Sequence, residues 1–295
     1  MPIELQNQQI KLVVATAGEH YQGTRFAWNC PILSLRFGEH EISTLEDPQQ
    51  ADNPRLGQAF YHEFGIDSPL GFAEAKSGDW VHKIGVGLIQ KEDTAYDIHH
   101  QYQLRPAKFE HKLSDQLLQS VCYGPLQDGF AYRLEKEIRL LEDGFEISYQ
   151  LHNLGQKRIQ TDEYNHNFVA LGAATIGPDH ILRFPFALRP LAFGEVVNPQ
   201  SVVRLGEKQL TFEDTPDSPF FFSNLSGGES VPAHWELRNQ QNGLVLTEST
   251  DFQTRKINLW GSGHVISPEL FFRIDLAPGQ SVSWIRRYSV YSMEP

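Results

Sequence analysis

Short segments that alternate apolar and polar residues, separated by turn signals, constrain this sequence more than any other feature. Phe145, Ile147, Tyr149 and Leu151 would share one face of a strand, because successive strand side chains point to opposite faces. Residues 134–140 alternate in the same way, and the Asp-Gly pair that follows them is a strong hairpin signal. The two segments therefore predict an antiparallel pair of strands.

The same pattern recurs near the end of the chain. Residues 235–246 place an Asn-Gly turn between two alternating segments, and a Pro-Gly turn is expected to return the strand at 272–276 into a strand at 282–285. Helical periodicity is weak, and 23 glycines and 17 prolines interrupt the chain. Together these features predict an all-β protein, a large antiparallel β-sandwich. Without a composition shift or linker, we expect a single domain over residues 1–295.

Charge and hydropathy narrow the classes of partner. The net charge is -12 without a basic cluster, so we expect neither nucleic acid nor an anionic membrane surface to bind. Apolar runs stay far below the roughly 18 residues that a membrane span needs. The first residues show no signal-peptide pattern, so a cytoplasmic location is expected. A small, neutral, polar molecule is the partner that fits best.

Metal and cofactor chemistry find little support. The two cysteines, Cys30 and Cys122, lack metal-ligand spacing, and we expect buried thiols. The adjacent His99 and His100 would point to opposite faces of a strand, so they cannot readily bind one ion. Phosphate-binding glycine loops and a serine nucleophile elbow are absent from the sequence. We predict no metal and no cofactor.

Two segments concentrate groups that can move protons. In the first, residues 161–168, His166 lies between two asparagines, where its pKa is expected to stay near the usual value of about 6.5. In the second, residues 260–272, Glu269 follows a proline inside an apolar, aromatic stretch. Burial of a carboxylate there would raise its pKa and make it a better base.

These segments resemble motifs of the galactose mutarotase-like, or aldose 1-epimerase, superfamily. The Asn-His-Asn-Phe stretch at 165–168 is similar to the one that carries the general acid, and the Ser-Pro-Glu stretch at 267–269 to the one that carries the general base. Residues 21–28 resemble the opening strand of the family, and residues 68–74 and 81–87 resemble segments that line its cleft. The resemblance covers most of the chain and implies a sandwich of the supersandwich type.

The resemblance also implies a function and a set of site residues. His166 would be the acid and Glu269 the base of an isomerase that opens a sugar ring and interconverts the α and β anomers without a cofactor. The expected substrate-binding residues are Arg25, Phe72, His82, Lys83 and Trp260. The hexose-6-phosphate branch has His-Gly-Phe-Ala-Arg where residues 70–74 read Leu-Gly-Phe-Ala-Glu; an acid replaces the arginine, which puts phosphate binding in doubt.

Two other functions remain open from the sequence. One is a non-catalytic carbohydrate-binding or sugar-sensing module on the same scaffold, because one fold hosts several functions. The other is a glycoside hydrolase or lyase, in which Glu269 would act with Glu163 or Asp162. A hydrolase needs its two carboxyl groups about 5–9.5 Å apart, and the sequence does not fix that distance.

Overall fold

The computed structural model describes residues 2–293, apart from the side chain of Ala173. The described chain is built almost entirely of strands, joined by turns and four short 3-10 segments. The strands are β1 (Ile3–Gln6), β2 (Ile10–Val14), β3 (Ile32–Phe37), β4 (His40–Glu41), β5 (Phe60–Phe64), β6 (Trp80–Lys83), β7 (Gly87–Gln90), β8 (Leu104–Pro106), β9 (Lys108–Ser114), β10 (Leu117–Gln127), β11 (Phe130–Leu140), β12 (Gly144–Asn153), β13 (Ile159–Asn167), β14 (His180–Arg183), β15 (Val196–Val197), β16 (Val203–Leu205), β17 (Gln209–Phe212), β18 (Phe220–Phe222), β19 (Val231–Asn239), β20 (Leu244–Thr254), β21 (Ile257–Ser262), β22 (Val265–Leu270), β23 (Phe272–Leu276) and β24 (Ser281–Ser292). The 3-10 segments are Pro48–Gln50, Leu171–Ala173, Pro190–Ala192 and Pro199–Ser201.

Two large antiparallel sheets dominate the fold. The ten-stranded sheet has the order β16-β17-β14-β19-β20-β24-β12-β11-β10-β9. The seven-stranded sheet has the order β1-β2-β3-β5-β13-β23, with β4 paired to β3. A four-stranded sheet (β15-β18-β21-β22) and a three-stranded sheet (β6-β7-β8) complete the fold. The predicted all-β sandwich is confirmed.

Aromatic side chains join the two large sheets. Phe60 of β5 lies with its ring centroid 4.8 Å from that of Tyr288 on β24, and 5.2 Å from that of Phe145 on β12. Behind them, Tyr149 stacks on Trp284 at 5.0 Å. All five rings are buried, so the sandwich core lies between the sheets as the alternating pattern predicts.

The local hairpins form where the turn residues place them. Leu134 pairs with Leu151 and Leu140 with Phe145, which confirms the predicted hairpin of β11 and β12. The Asn-Gly hairpin of β19 and β20 is also confirmed. The third expected hairpin is wrong: β23 pairs with β13 in one large sheet, whereas β24 pairs with β12 and β20 in the other. The Pro-Gly turn therefore carries the chain from one sheet to the other.

The described residues contain neither a membrane-spanning helix nor a metal-binding cluster. Across residues 2–293, no helix is long and apolar enough to span a bilayer. Within the same range, no cluster of three or more His, Cys, Asp and Glu side chains could hold a metal ion. Cys30 and Cys122 are both free and buried.

Candidate active site

An interrupted strand ladder creates the candidate site. β23 pairs antiparallel with β13, and the preceding strand β22 is joined by one antiparallel bridge to the chain just after β13. Glu163 pairs with Phe272 at one end, and Val169 pairs with Ile266 at the other. Between these two points side chains, rather than regular backbone pairs, link β13 to β22.

Pro268 explains why the ladder fails there. Its carbonyl oxygen points at β13, where it accepts a hydrogen bond of 2.6 Å from Asn167 Nδ2. The N–H and C=O of a strand residue point to the same side, and proline has no N–H to give. The backbone N–H of Asn167 instead donates to Ser267 Oγ at 3.0 Å.

The predicted acid and base meet in this gap. His166 Nε2 lies 3.4 Å from Glu269 Oε1, and His166 Nδ1 lies 3.0 Å from Ser267 Oγ. Ser267 and Glu269 are two residues apart on β22, so both side chains face His166. His166 and Glu269 are only 4% and 3% exposed. The structure thus brings the two groups together, but in direct contact rather than across a sugar-sized gap.

Burial sets the protonation of the pair. Burial, and secondarily the charge of Arg25, holds the pKa of His166 well below its usual value. The expectation of a value near 6.5 is therefore wrong, because an imidazolium in this enclosed position loses its hydration. Burial raises the pKa of Glu269 to about 8, against an opposing effect of Arg25, as the apolar segment predicts. Near pH 7 the imidazole is neutral and the carboxyl holds a proton.

Four aromatic rings surround His166, one of which is that of Tyr164 at 6.2 Å. Phe168 stacks on His166 at 4.1 Å, and the edges of Trp260 and Phe26 approach it at 5.2 and 5.9 Å. The structure therefore places Trp260 beside His166. Phe72 does not come to the site: it packs in a separate cluster with Tyr102.

Arg25 lies at the edge of the site and is already partly bonded. Its Nε donates to Glu63 Oε2 at 2.9 Å, and its Nη2 donates to Tyr164 Oη at 3.0 Å. Its side chain remains 12% exposed and lines a cavity of about 220 Å³. Because a guanidinium has five N–H donors, Arg25 keeps capacity for a ligand oxygen.

Two of the expected substrate-binding residues, His82 and Lys83, lie buried on β6. Lys83 is fully buried, and its Nζ donates to Glu63 Oε1 at 2.8 Å and to the Gly65 carbonyl at 3.1 Å. His82 is buried against Tyr132, and burial lowers its pKa to about 4. Through Glu63, Lys83 belongs to the same ion-pair network as Arg25.

A second cavity lies on the other side of Tyr164. It has a volume of about 660 Å³ and is lined in part by Asp162, Lys256 and Phe271. Tyr164 stacks on Phe271 at 4.6 Å and also bonds to Arg25, so this one ring contacts residues of both cavities. Neither His166 nor Glu269 lines either cavity. A volume of this size suits a small ligand.

The carboxylates expected for a hydrolase are engaged elsewhere. Glu163 faces the sandwich core, where it accepts hydrogen bonds from Arg286 at 2.7 Å and from Trp284 at 2.9 Å. Asp162 accepts one from Lys256 at 3.2 Å. Sequence reasoning missed the hydroxyl of Ser267 and the phenol of Tyr164. Strand alternation could have placed Tyr164 on the face of His166.

Comparisons with known proteins agree on the fold. No family model and no curated protein matches the sequence. Among solved structures, the chain is similar to a protein from Synechocystis sp. PCC 6803, with a TM-score of 0.64 and 11% identity over 99% of this chain and 96% of that one. It is similar to a galactose mutarotase-like protein from Lactobacillus casei ATCC 334, with a TM-score of 0.63 and 13% identity over 99% and 100%. A galactose 1-epimerase from Lactobacillus acidophilus NCFM gives a TM-score of 0.56 and 14% identity over 99% and 95%. The chain has the galactose mutarotase-like fold.

Proposed function

We propose that this protein is an aldose 1-epimerase-like isomerase that interconverts the α and β anomers of a sugar. The observation that carries the proposal is the contact of 3.4 Å between His166 Nε2 and Glu269 Oε1. The fold shared with a galactose 1-epimerase supports it. Trp260 beside the pair offers an aromatic ring to the apolar face of a sugar.

Anomer exchange needs one group that gives a proton and one that accepts a proton. The ring oxygen must gain a proton while the anomeric hydroxyl loses one, which breaks the bond between the ring oxygen and the anomeric carbon. The carbonyl end then rotates, and the reverse transfers close the ring on the other face. A neutral imidazole beside a protonated carboxyl holds one transferable proton and one free acceptor, so the pair can serve both transfers.

The pKa directions assign the two roles. Near pH 7 Glu269 holds the proton, because its pKa is raised to about 8, and His166 is neutral. Glu269 would protonate the ring oxygen and His166 Nε2 would accept the anomeric proton, which reverses the roles that the resemblance implies. In this assignment Nδ1 carries the ring proton and would donate a hydrogen bond to Ser267 Oγ, which lies 3.0 Å away. After ring closure both residues have returned to their starting states.

Substrate must reach a pair that is almost fully buried. The sugar oxygens would insert between Nε2 and Oε1, so we expect the 3.4 Å contact to lengthen on binding. Tyr164 and Phe271 lie between the pair and the 660 Å³ cavity, and their displacement would join that space to His166.

Polarimetry tests the proposal. Freshly dissolved α-glucose and α-galactose should reach anomeric equilibrium faster with the protein than without it. Glu269→Gln and His166→Ala should each reduce the acceleration by about 10²- to 10⁴-fold. His180→Gln is the matched control, since His180 is a buried histidine on β14 that bonds to Asn239. Full activity in both site variants would refute the proposal.

A non-catalytic carbohydrate-binding module is the second candidate. It is favoured by the burial of the pair and by the direct contact that leaves no space for a sugar. Such a module would give saturable NMR shifts with a monosaccharide series while the rate of anomer equilibration stayed at its uncatalysed value.

A further inference from the structure

A group of three charged residues lies fully buried behind the candidate site. Arg286 Nη2 donates to Glu163 Oε2 at 2.7 Å, and Arg286 Nη1 donates to Glu248 Oε1 at 2.6 Å. All three residues have no exposed surface. We name this group the core triad. It joins β13 of the seven-stranded sheet to β20 and β24 of the ten-stranded sheet.

A contribution to folding stability does not by itself explain why the core triad is buried. Removing three charges from water is costly, and well-packed apolar residues of the same volume often stabilise a protein as much or more. Glu163 shows the cost directly, because burial raises its pKa despite the contact with Arg286. The triad also contacts residues outside its three members, and these contacts indicate a second role.

Those contacts reach the chain beside both members of the acid–base pair. Arg286 Nη2 donates to the carbonyl of Leu270, the residue after Glu269, at 2.8 Å. Glu248 Oε2 accepts a hydrogen bond of 3.1 Å from Asn167 Nδ2, and Asn167 is the residue after His166. The triad thus holds β22 through Arg286 and β13 through Glu248.

Asn167 completes the link between the two strands. Its Nδ2 donates both to Glu248 and to the carbonyl of Pro268, and its backbone N–H donates to Ser267. Tyr288 Oη donates to Asn167 Oδ1 at 2.9 Å, which fixes the orientation of the amide. These are the bonds that connect β13 and β22 where the backbone ladder is interrupted.

We infer that Glu248 and Arg286 are positioning residues that set the distance and orientation of His166 relative to Glu269. The catalytic part of this inference rests on the proposed function; the geometric part does not. Without backbone pairs in the gap, the separation of the two strands depends on the side-chain bonds of Asn167 and Ser267. The core triad fixes Asn167 through Glu248 and β22 through the Leu270 carbonyl. An error of about 1 Å in such a position can cost roughly 100-fold in rate.

The test uses one mild and one charge-balanced variant of the full chain. Glu248→Gln keeps the shape of the side chain and removes its charge. The triple variant Glu163→Gln, Glu248→Gln, Arg286→Met removes all three charges, so no buried charge is left unpaired. The matched control is Lys136→Met. Lys136 is a buried cation of the same core, and its Nζ donates to the Cys30 carbonyl at 2.9 Å and contacts His62 Nδ1 at 3.3 Å.

Two measurements separate positioning from a merely structural role. The first is the ¹⁵N chemical shifts of the His166 ring nitrogens, which report its tautomer and hydrogen bonds without any activity. The second is kcat and KM for mutarotation by polarimetry. In folded Glu248→Gln and triple variants we expect shifted His166 signals and a kcat about 10- to 100-fold lower, with KM within about twofold. Lys136→Met should match the wild type in both measurements.

The outcomes for the positioning role and for the proposed function differ. If variants with a native near-ultraviolet circular dichroism spectrum keep wild-type His166 signals and wild-type kcat, the positioning role is refuted. If the wild type shows no mutarotation but the variants shift the His166 signals, the positioning role stands and the proposed function fails.

Discussion

Replacing Glu269 by glutamine should change how the stability of the protein depends on pH. Burial raises the pKa of Glu269 from 4.5 to about 8 in the folded chain, whereas the unfolded carboxyl keeps an ordinary value. Between these two values the folded state holds a proton that the unfolded state has released. The free energy of unfolding therefore falls as pH rises through this window, since stability falls wherever the folded state binds more protons.

The size of the effect follows from the shift. Each pH unit inside the window changes the free energy of unfolding by about 1.4 kcal/mol, so the wild type should lose on the order of 2–3 kcal/mol from this group between pH 6 and 8. Glutamine cannot ionise and should abolish this loss. Contributions from the histidines that do not contact Glu269 are nearly the same in both proteins and cancel in the difference.

Urea unfolding of both proteins at half-unit steps from pH 5 to 9 measures the effect. We expect the stability difference, Glu269→Gln minus wild type, to grow steadily up to about pH 8 and then to level off. Parallel curves for the two proteins across this range would show that the carboxyl ionises normally. In that case Glu269 could not be the proton donor near pH 7.

Two further predictions concern buried lysines away from His166 and Glu269. Lys83→Met should lower the free energy of unfolding by about 3 kcal/mol, because it leaves buried Glu63 without one of its partners. The control Lys108→Met changes an exposed ion pair and should leave the urea midpoint unchanged. Equal urea midpoints for Lys83→Met and the wild type would contradict the structural role of Lys83. Burial lowers the pKa of Lys136 to about 7, whereas the unfolded lysine still binds a proton above that pH, so the stability of the wild type should rise by about 1.4 kcal/mol per pH unit above pH 7. Lys136→Met should remove this rise, which is measured as the slope of the free energy of unfolding from pH 7 to 9. An unchanged slope in the variant would mean that Lys136 is charged in the folded wild type.

Local patterns predicted the elements whose partners are near in the chain. The hairpin of β11 and β12 follows from alternation and an Asp-Gly turn, and its register is the one the pattern implies. The turn after β23 looked equally local, yet the chain crosses there between sheets. A turn motif fixes the bend of the backbone but not which neighbouring strand the chain meets next.

The candidate site residues came from the resemblance, and local spacing alone did not indicate which of them lie together. His166, Glu269 and Trp260 lie together, and Arg25 borders them, as expected. The burial of His82 and Lys83 could not be predicted, because it depends on chain segments far away in sequence. The same limit hid the core triad: Glu163 and Arg286 are separated by 123 residues, and an isolated buried glutamate gives no local signal of its partner.

Pro268 in β22 keeps the two neighbouring strands from completing their backbone pairing. Any other residue at 268 would bring an N–H pointed at β13 and so a donor with which the two strands could complete their pairing. A closed ladder would still keep His166 opposite Glu269, because the pairs Glu163–Phe272 and Val169–Ile266 fix that register. A single substitution at Pro268 would therefore exchange the side-chain links made by Asn167 for backbone pairing, with no loss of fold to mark the event.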